Sequence, residues 1–132
     1  MDGLLIIDKP AGPTSHDVVN RVRRILNTRK VGHTGTLDPF ATGVLVLVIG
    51  KATRLAQFLD KDDKEYDAVI RFGFQTDTGD RTGSRIAECE MPNEGIVRQL
   101  AGVSWRKTLS KFSGEIEQLP PMYSAKIVEG KK

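Results

Sequence analysis

The segment between residues 31 and 45 concentrates the residues that could do chemistry. It holds one carboxylate, Asp38, directly before Pro39 and shortly before an apolar run that starts at Val44. Six of its other residues are glycines and threonines, namely Gly32, Thr34, Gly35, Thr36, Thr42 and Gly43. Glycines allow a ligand to approach the backbone closely, and a loop that holds one acid above a buried strand suits a nucleophile. An Asp-Pro pair among threonines is also typical of a simple turn or cap, so both interpretations stay open.

Other catalytic templates fit this chain poorly. Asp77, Thr78 and Gly79 form the triplet of aspartic proteases, but polar residues precede them. A solvated loop would not shield two aspartates that share one proton, so a protease is disfavoured. Cys89 is the only cysteine and the chain has just two histidines, which disfavours disulfides and a structural zinc site.

Gly50 and Lys51 resemble part of a phosphate-binding loop. The glycine expected five positions before Gly50 is replaced by Leu45, and Ala52 stands where Ser or Thr would bind magnesium. The sequence therefore does not predict a nucleotide-binding loop here.

Positive charge is concentrated in the first half of the chain. Residues 1–60 contain eight Lys and Arg against five Asp, whereas residues 61–132 contain twelve of each sign. Five basic residues lie between positions 21 and 30 with no acid among them: Arg21, Arg23, Arg24, Arg29 and Lys30. Such a stretch favours a polyanionic partner, although a solvated helix face would also account for it.

Length and composition are those of an ordinary globular domain. The chain has 132 residues, of which 39% are hydrophobic and 28% charged. Its longest apolar run, residues 44–49, is far shorter than the roughly 20 residues of a membrane span. No basic leader precedes an apolar segment. We therefore expect a cytoplasmic protein with no membrane partner.

Hydrophobic periodicity predicts a mixed α+β fold. The predicted strands cover residues 3–7, 44–49, 65–74, 85–90, 111–118 and 123–128, and the 44–49 strand should be buried on both faces. The predicted helices cover residues 16–26, 52–59 and 93–101. Ser15 is expected to cap the first helix, with its core face formed by Val18, Val22, Ile25 and Leu26. Residues 31–42 are predicted to be a loop.

Four sequence blocks, in order, resemble the bacterial tRNA pseudouridine synthase B family. The most specific one is residues 32–39 (GHTGTLDP), followed by 41–45 (ATGVL) and 50–54 (GKATR). An opening block comprises residues 3–5 (GLL) and 8–15 (DKPAGPTS). A second comprises 64–66 (KEY), 72–73 (FG) and 76–80 (TDTGD), and a third comprises Phe112, Gly114 and 118–126 (QLPPMYSAK). Together they span nearly the whole chain.

The resemblance implies an isomerase that converts a T-loop uridine of tRNA, at position 55, to pseudouridine. Asp38 would be the nucleophile, attacking either ribose C1′ or uracil C6. Tyr66 would stack on the target base and help to remove the C5 proton. His33, Lys9 and Thr36 would position the RNA loop around a flipped-out uridine. The reaction needs no redox step and no net hydrolysis, so neither a cofactor nor a metal is implied.

The resemblance also implies a partner surface and an architecture. Seven basic side chains would contact tRNA phosphates: Arg21, Arg23, Arg24, Arg29, Lys30, Lys51 and Arg54. The family fold is a largely antiparallel sheet with flanking helices. Residues 1–132 would form the N-terminal portion of its catalytic domain, with the rest of that domain and the C-terminal RNA-binding domain absent. A chain that binds RNA without turnover is the alternative.

Overall fold

A three-stranded antiparallel sheet organises the first part of the chain. We describe a computed structural model over residues 1–71, 73–88 and 105–118. The strands are β1 (Gly3–Lys9), β2 (Val31–His33) and β3 (Gly43–Ile49), in the order β1-β3-β2. The register sets Lys9 opposite Gly43. The end of β1 therefore lies beside the start of β3, where the segment containing Asp38 enters the sheet.

Helix α1 (Ser15–Ile25) covers one face of this sheet. Its buried residues, Ser15, Val19 and Val22, lie at positions i, i+4 and i+7, one stripe of the helix. The two valines pack with strand residues in one hydrophobic core, which contains Val31, Leu45, Leu47 and Ile49. Val18 and Leu26 pack against that core, but Ile25, which the sequence placed there, is 70% exposed. Compared with the predicted orientation, α1 is turned about its axis, so that Val19 faces the core and Ile25 faces solvent.

The remaining described elements are short. A 3-10 helix (Gly50–Leu55) leads into α2 (Ala56–Leu59). Strands β4 (Phe74–Thr76) and β5 (Arg85–Glu88) form an antiparallel hairpin. Helix α3 (Trp105–Leu109) continues as a 3-10 helix (Ser110–Phe112). The chain divides into two compact units, Met1–Asp67 and Ala68–Lys132. No helix in the described ranges has the length and hydropathy of a membrane span.

Several predicted elements differ from the structure. The strand predicted over 65–74 is wrong. Residues 63–71 have no regular structure, and β4 starts at Phe74, the last residue of the predicted strand. Alternation shows which side chains share a face, but a strand also needs a neighbour for its backbone hydrogen bonds. The predicted strand 111–118 is wrong as well, because Ser110–Phe112 is a 3-10 helix and residues 113–118 are irregular. Residues 89–90, the helix 93–101 and the strand 123–128 lie outside the described residues.

Two corrections concern the sheet itself. Strand β2 (Val31–His33) lies where the sequence predicted a loop, since a three-residue strand with a glycine leaves little pattern to detect. Strand β3 is not buried on both faces throughout: Val44 is 71% exposed, while Leu47 and Val48 are fully buried. The far face of the sheet is therefore open to solvent at the end where the Asp38 segment enters it.

Candidate active site

The backbone around Asp38 is held by a buried lysine. Lys9 is completely buried, and its Nζ donates to the carbonyl oxygens of Pro10 at 3.1 Å, Asp38 at 3.1 Å, Pro39 at 3.3 Å and Ala41 at 2.7 Å. Three ammonium hydrogens are thus shared among four carbonyls. A buried charge is tolerated only with such compensation, so the lysine and the turn stabilise each other.

The alternation of β1 explains why a lysine occupies this position. Leu5 and Ile7 point to the helix-covered face of the sheet, and Lys9 follows them on the same face at the end of the strand. The aliphatic stem continues the core, while the ammonium group reaches the carbonyls of the 38–41 turn. Sequence reasoning gave Lys9 a supporting role for the RNA loop, and the structure places it directly beneath Asp38.

Two further hydrogen bonds complete the turn. The Ala41 N–H donates to the Asp38 carbonyl at 3.0 Å, and the Gly12 N–H donates to the Pro39 carbonyl at 2.7 Å. Gly12 has a φ of +110°, which only glycine adopts without strain. The turn after β1 and the turn at Asp38 are therefore joined backbone to backbone. The Asp38 side chain itself is exposed to solvent.

Ser15 fixes the residue before Asp38. Its Oγ accepts from the Leu37 N–H at 2.9 Å and donates to the Leu37 carbonyl at 3.0 Å. The sequence assigned Ser15 as the helix cap, which is wrong: Thr14 is the N-cap, and it forms a capping box with Asp17. The spacing of Thr14 and Asp17, three residues apart, is the signal that identifies the correct cap.

The other residues expected around the RNA loop lie on neighbouring segments. His33 ends β2 opposite Leu47, and its Nδ1 is buried with no hydrogen-bond partner among the described residues. Thr36 is exposed two residues before Asp38. Tyr66 is 67% exposed on an irregular segment. That segment approaches the 34–36 loop through Lys64, whose Cε would lie 3.6 Å from a Cβ added to Gly35.

The seven basic residues expected to contact tRNA phosphates fall into two groups. Arg23 is an internal brace: its Nη2 donates to the Val31 carbonyl at 2.9 Å and its Nη1 to Asn20 Oδ1 at 3.2 Å. It therefore joins α1 to β2, and its expected contact with phosphate stays a prediction. The other six are exposed: Arg21, Arg24, Arg29, Lys30, Lys51 and Arg54. These remain available to a polyanion.

Two carboxyl groups outside this turn have lowered pKa values. Hydrogen bonds from the Thr14 hydroxyl and backbone lower the pKa of Asp17. Hydrogen bonds from the Thr82 hydroxyl and backbone lower the pKa of Asp80. Both carboxyl groups are at the surface, where they act as local caps of a helix and of a turn.

The Asp77-Thr78-Gly79 triplet, which resembles that of aspartic proteases, lies in the turn that contains Asp80. Asp77 is exposed, and its Oδ1 accepts from the Ser84 N–H at 2.9 Å.

The described residues contain no cluster of three or more His, Cys, Asp or Glu that could hold a metal ion.

Comparison with known proteins agrees with the motif at Asp38. A sequence profile described as "TruB family pseudouridylate synthase (N terminal domain)" matches residues 23–132, which include the whole 32–45 segment. The chain belongs to the TruB family. The profile match begins after Lys9 and Ser15, whereas the match to a relative of the TruB family covers the whole chain and so spans both positions.

Relatives of this TruB chain share about half of its residues. The tRNA pseudouridine synthase B of Solibacter usitatus is 54% identical over 132 residues, which are 100% of this chain and 43% of the relative. That of Geobacter sulfurreducens is 50% identical over 125 residues, 95% of this chain and 39% of the relative. The chain thus spans about two fifths of the length of these curated relatives.

A solved structure confirms the fold class. A crystal structure of a Cbf5-Nop10-Gar1 complex is 35% identical, with a TM-score of 0.52 over 93% of this chain and 30% of that chain. This TruB-family chain is accordingly a mixed α+β protein of the pseudouridine synthase fold with antiparallel sheets, as the sequence predicted.

Proposed function

We propose that the protein carrying this chain isomerises uridine 55 in the T loop of tRNA to pseudouridine. The bond from ribose C1′ to uracil N1 breaks, and a bond from C1′ to C5 forms. The C5 proton is lost and N1 gains a proton, so atoms balance without a redox partner. The names of the relatives support tRNA as the substrate class, and residues 1–132 are assigned to the N-terminal portion of the catalytic domain.

The observation that carries this proposal is the fixed turn at Asp38. Its carboxylate is exposed, while the backbone beneath it is held by the Lys9 ammonium and the Gly12 N–H. A nucleophile needs access to the reacting carbon together with a defined direction of attack. Asp38 forms a covalent bond to ribose C1′ or to uracil C6 and leaves again when the C5 glycosidic bond is made.

The target uridine must leave its stack before Asp38 can reach it. Loops are the cheapest places in RNA for such extrusion, because fewer base pairs are broken. In this proposal the exposed ring of Tyr66 stacks on the extruded base and assists proton loss from C5. His33, which is partly exposed at the end of β2, and the exposed Thr36 hold the RNA loop open.

Exposed cations on α1, directly after it and in the 3-10 helix Gly50–Leu55 would hold the tRNA backbone. The residues assigned to phosphate contacts are Arg21, Arg24, Arg29, Lys30 and Arg54. Phosphate contacts set the register of the RNA on the protein, whereas the loop around Asp38 selects the base.

Tritium release from tRNA transcripts labelled at uracil C5 tests the proposal. We expect the protein to release tritium from a transcript with uridine at position 55, and to lose most of that release when position 55 is cytidine. Equal release from both transcripts would contradict the assignment of the uridine. Binding of both transcripts without release would instead establish the alternative, an RNA-binding chain without turnover.

A further inference from the structure

The two hydrogen bonds of Ser15 restrict the backbone immediately before Asp38. Ser15 is 2% exposed, and its hydroxyl accepts from the Leu37 N–H and donates to the Leu37 carbonyl. The Leu37 carbonyl belongs to the peptide group that joins Leu37 to Asp38. Its orientation sets one of the two peptide planes that meet at the Cα of Asp38.

Lys9 restricts the other plane. Its ammonium binds the carbonyls of Asp38 and Pro39, which belong to the peptide groups on the far side of the same Cα. With the peptide planes on both sides held, φ and ψ of Asp38 are fixed, and with them the direction of its Cα–Cβ bond. Lys9 and Ser15 thus determine together where the carboxylate is presented.

Ser15 occupies this position because of the helix that carries it. It lies one turn before Val19 and two turns before Val22 on the buried stripe of α1, so its short side chain points to the sheet. The capping of α1 does not depend on it, since the Thr14 hydroxyl accepts from the Asp17 N–H at 3.0 Å. The hydroxyl of Ser15 is therefore committed to Leu37.

We propose that Ser15 is a positioning residue for the isomerisation, acting on the reaction through the backbone of Leu37 and Asp38. This inference rests on the proposed function. Removing the hydroxyl frees the Leu37–Asp38 peptide to rotate and displaces the carboxylate, and a displacement of about 1 Å at a reacting group lowers a rate by roughly 100-fold. The phosphate-binding residues are unaffected, so tRNA affinity is retained.

The test compares Ser15→Ala and Ser15→Cys with the parent protein in steady-state tritium release and in tRNA binding. We expect Ser15→Ala to lower kcat by about 10- to 100-fold with KM and Kd unchanged within about twofold. The kcat of Ser15→Cys should lie between those of Ser15→Ala and the parent, because a thiol is a weak donor and acceptor. Thr14→Ala is the matched control, because it removes a neighbouring hydroxyl and weakens α1 without touching Leu37.

The outcomes separate the inference from the proposed function. Thr14→Ala should melt at a lower temperature and keep a kcat within about twofold of the parent. Parental kcat in both Ser15 variants would overturn the positioning role, as would an equal loss in Thr14→Ala and Ser15→Ala, which would assign the effect to helix stability. Should Ser15→Ala not fold, the kcat of Ser15→Cys decides the question. No release from the parent protein would reject the proposed function instead.

Discussion

At the scale of single residues, the site depends on a charge placed inside the protein. Lys9 is fully buried, and four backbone carbonyls surround its ammonium group. Three of these carbonyls belong to the turn from Asp38 to Ala41. A lysine here orders the turn in a way that an apolar side chain of similar length would not.

Replacing Lys9 should therefore destabilise the protein strongly. Lys9→Met keeps the stem but removes the ammonium donor from all four carbonyls, of which those of Asp38 and Pro39 keep a backbone N–H donor. We expect the free energy of unfolding to fall by about 3 kcal/mol or more. Urea denaturation measures this change. Lys61→Met, at an exposed lysine, is the control and should change stability by less than about 0.5 kcal/mol. Equal stability of the two variants would show that the carbonyls find other donors.

The carboxyl group of Asp17 makes the stability of the protein depend on pH. Its pKa lies below the ordinary 3.8 because the Thr14 hydroxyl and backbone donate to its carboxylate. The unfolded chain therefore takes up this proton at a higher pH than the folded chain. The stabilisation is present above about pH 4 and is lost as the pH falls through the lowered pKa.

We expect Asp17→Asn to reduce the dependence of unfolding free energy on pH in the acid range. Thermal or urea unfolding between about pH 5 and pH 2.5 provides the measurement, with the slope read for the parent and the variant. Asp80→Asn should remove a separate part of the slope, because the pKa of Asp80 is lowered in the same direction. An Asp17→Asn protein with the parental slope would rule out the capping box as its source.

At the scale of elements, the sheet and α1 position the site and carry the core. Leu47 in β3 is completely buried within the core, whereas Leu4 in β1 is 54% exposed on the opposite face. The two leucines provide a matched pair within one sheet.

Leu47→Ala should lower the free energy of unfolding by about 2–5 kcal/mol, since it removes buried atoms and leaves a cavity. Leu4→Ala should lower it by less than about 1 kcal/mol, because the side chain is already largely hydrated. Chemical denaturation of both variants checks the difference. A similar cost at the two positions would mean that the far face of the sheet is covered in solution.

Sequence patterns identified the elements that have strong local signals. The strands at β1 and β3 and helix α1 were recognisable from their apolar periodicity, although the cap of α1 was misassigned to Ser15, and the Asp38 loop was recognisable from its composition. The prediction placed Ile25 in the core and missed Val19, because two stripes on α1 are almost equally apolar. The hydrogen bonds of Lys9 and Ser15 were not predictable, since they join residues 29 and 22 positions apart in the chain. Such contacts depend on strand register, which no local pattern encodes.

At the scale of the whole molecule, exposed positive charge accumulates around α1. Arg21, Arg24, Arg29 and Lys30 are all exposed, whereas the Arg23 side chain between them donates to the Val31 carbonyl. Polyanion binding by such a surface releases counterions and depends on salt.

Removing two of these charges should weaken tRNA binding and reduce its salt dependence. For the double variant Arg21→Gln, Arg24→Gln we expect the negative slope of log association constant against log salt to become shallower by about 0.7–0.9 per lost contact. Binding isotherms at several salt concentrations give the slope. Arg106→Gln with Lys111→Gln removes two exposed charges of the second unit and serves as the comparison. The same slope in the parent and the α1 variant would remove these arginines from the interface.

The most direct test of the account replaces the carboxylate at the centre of the site. Asp38→Asn retains the size of the side chain and the backbone hydrogen bonds to Lys9, but it removes the proposed nucleophile. In single-turnover assays of tritium release we expect the rate to fall by at least about a thousandfold, with tRNA affinity within about twofold of the parent. Release at the parental rate by a folded Asp38→Asn protein would contradict the account.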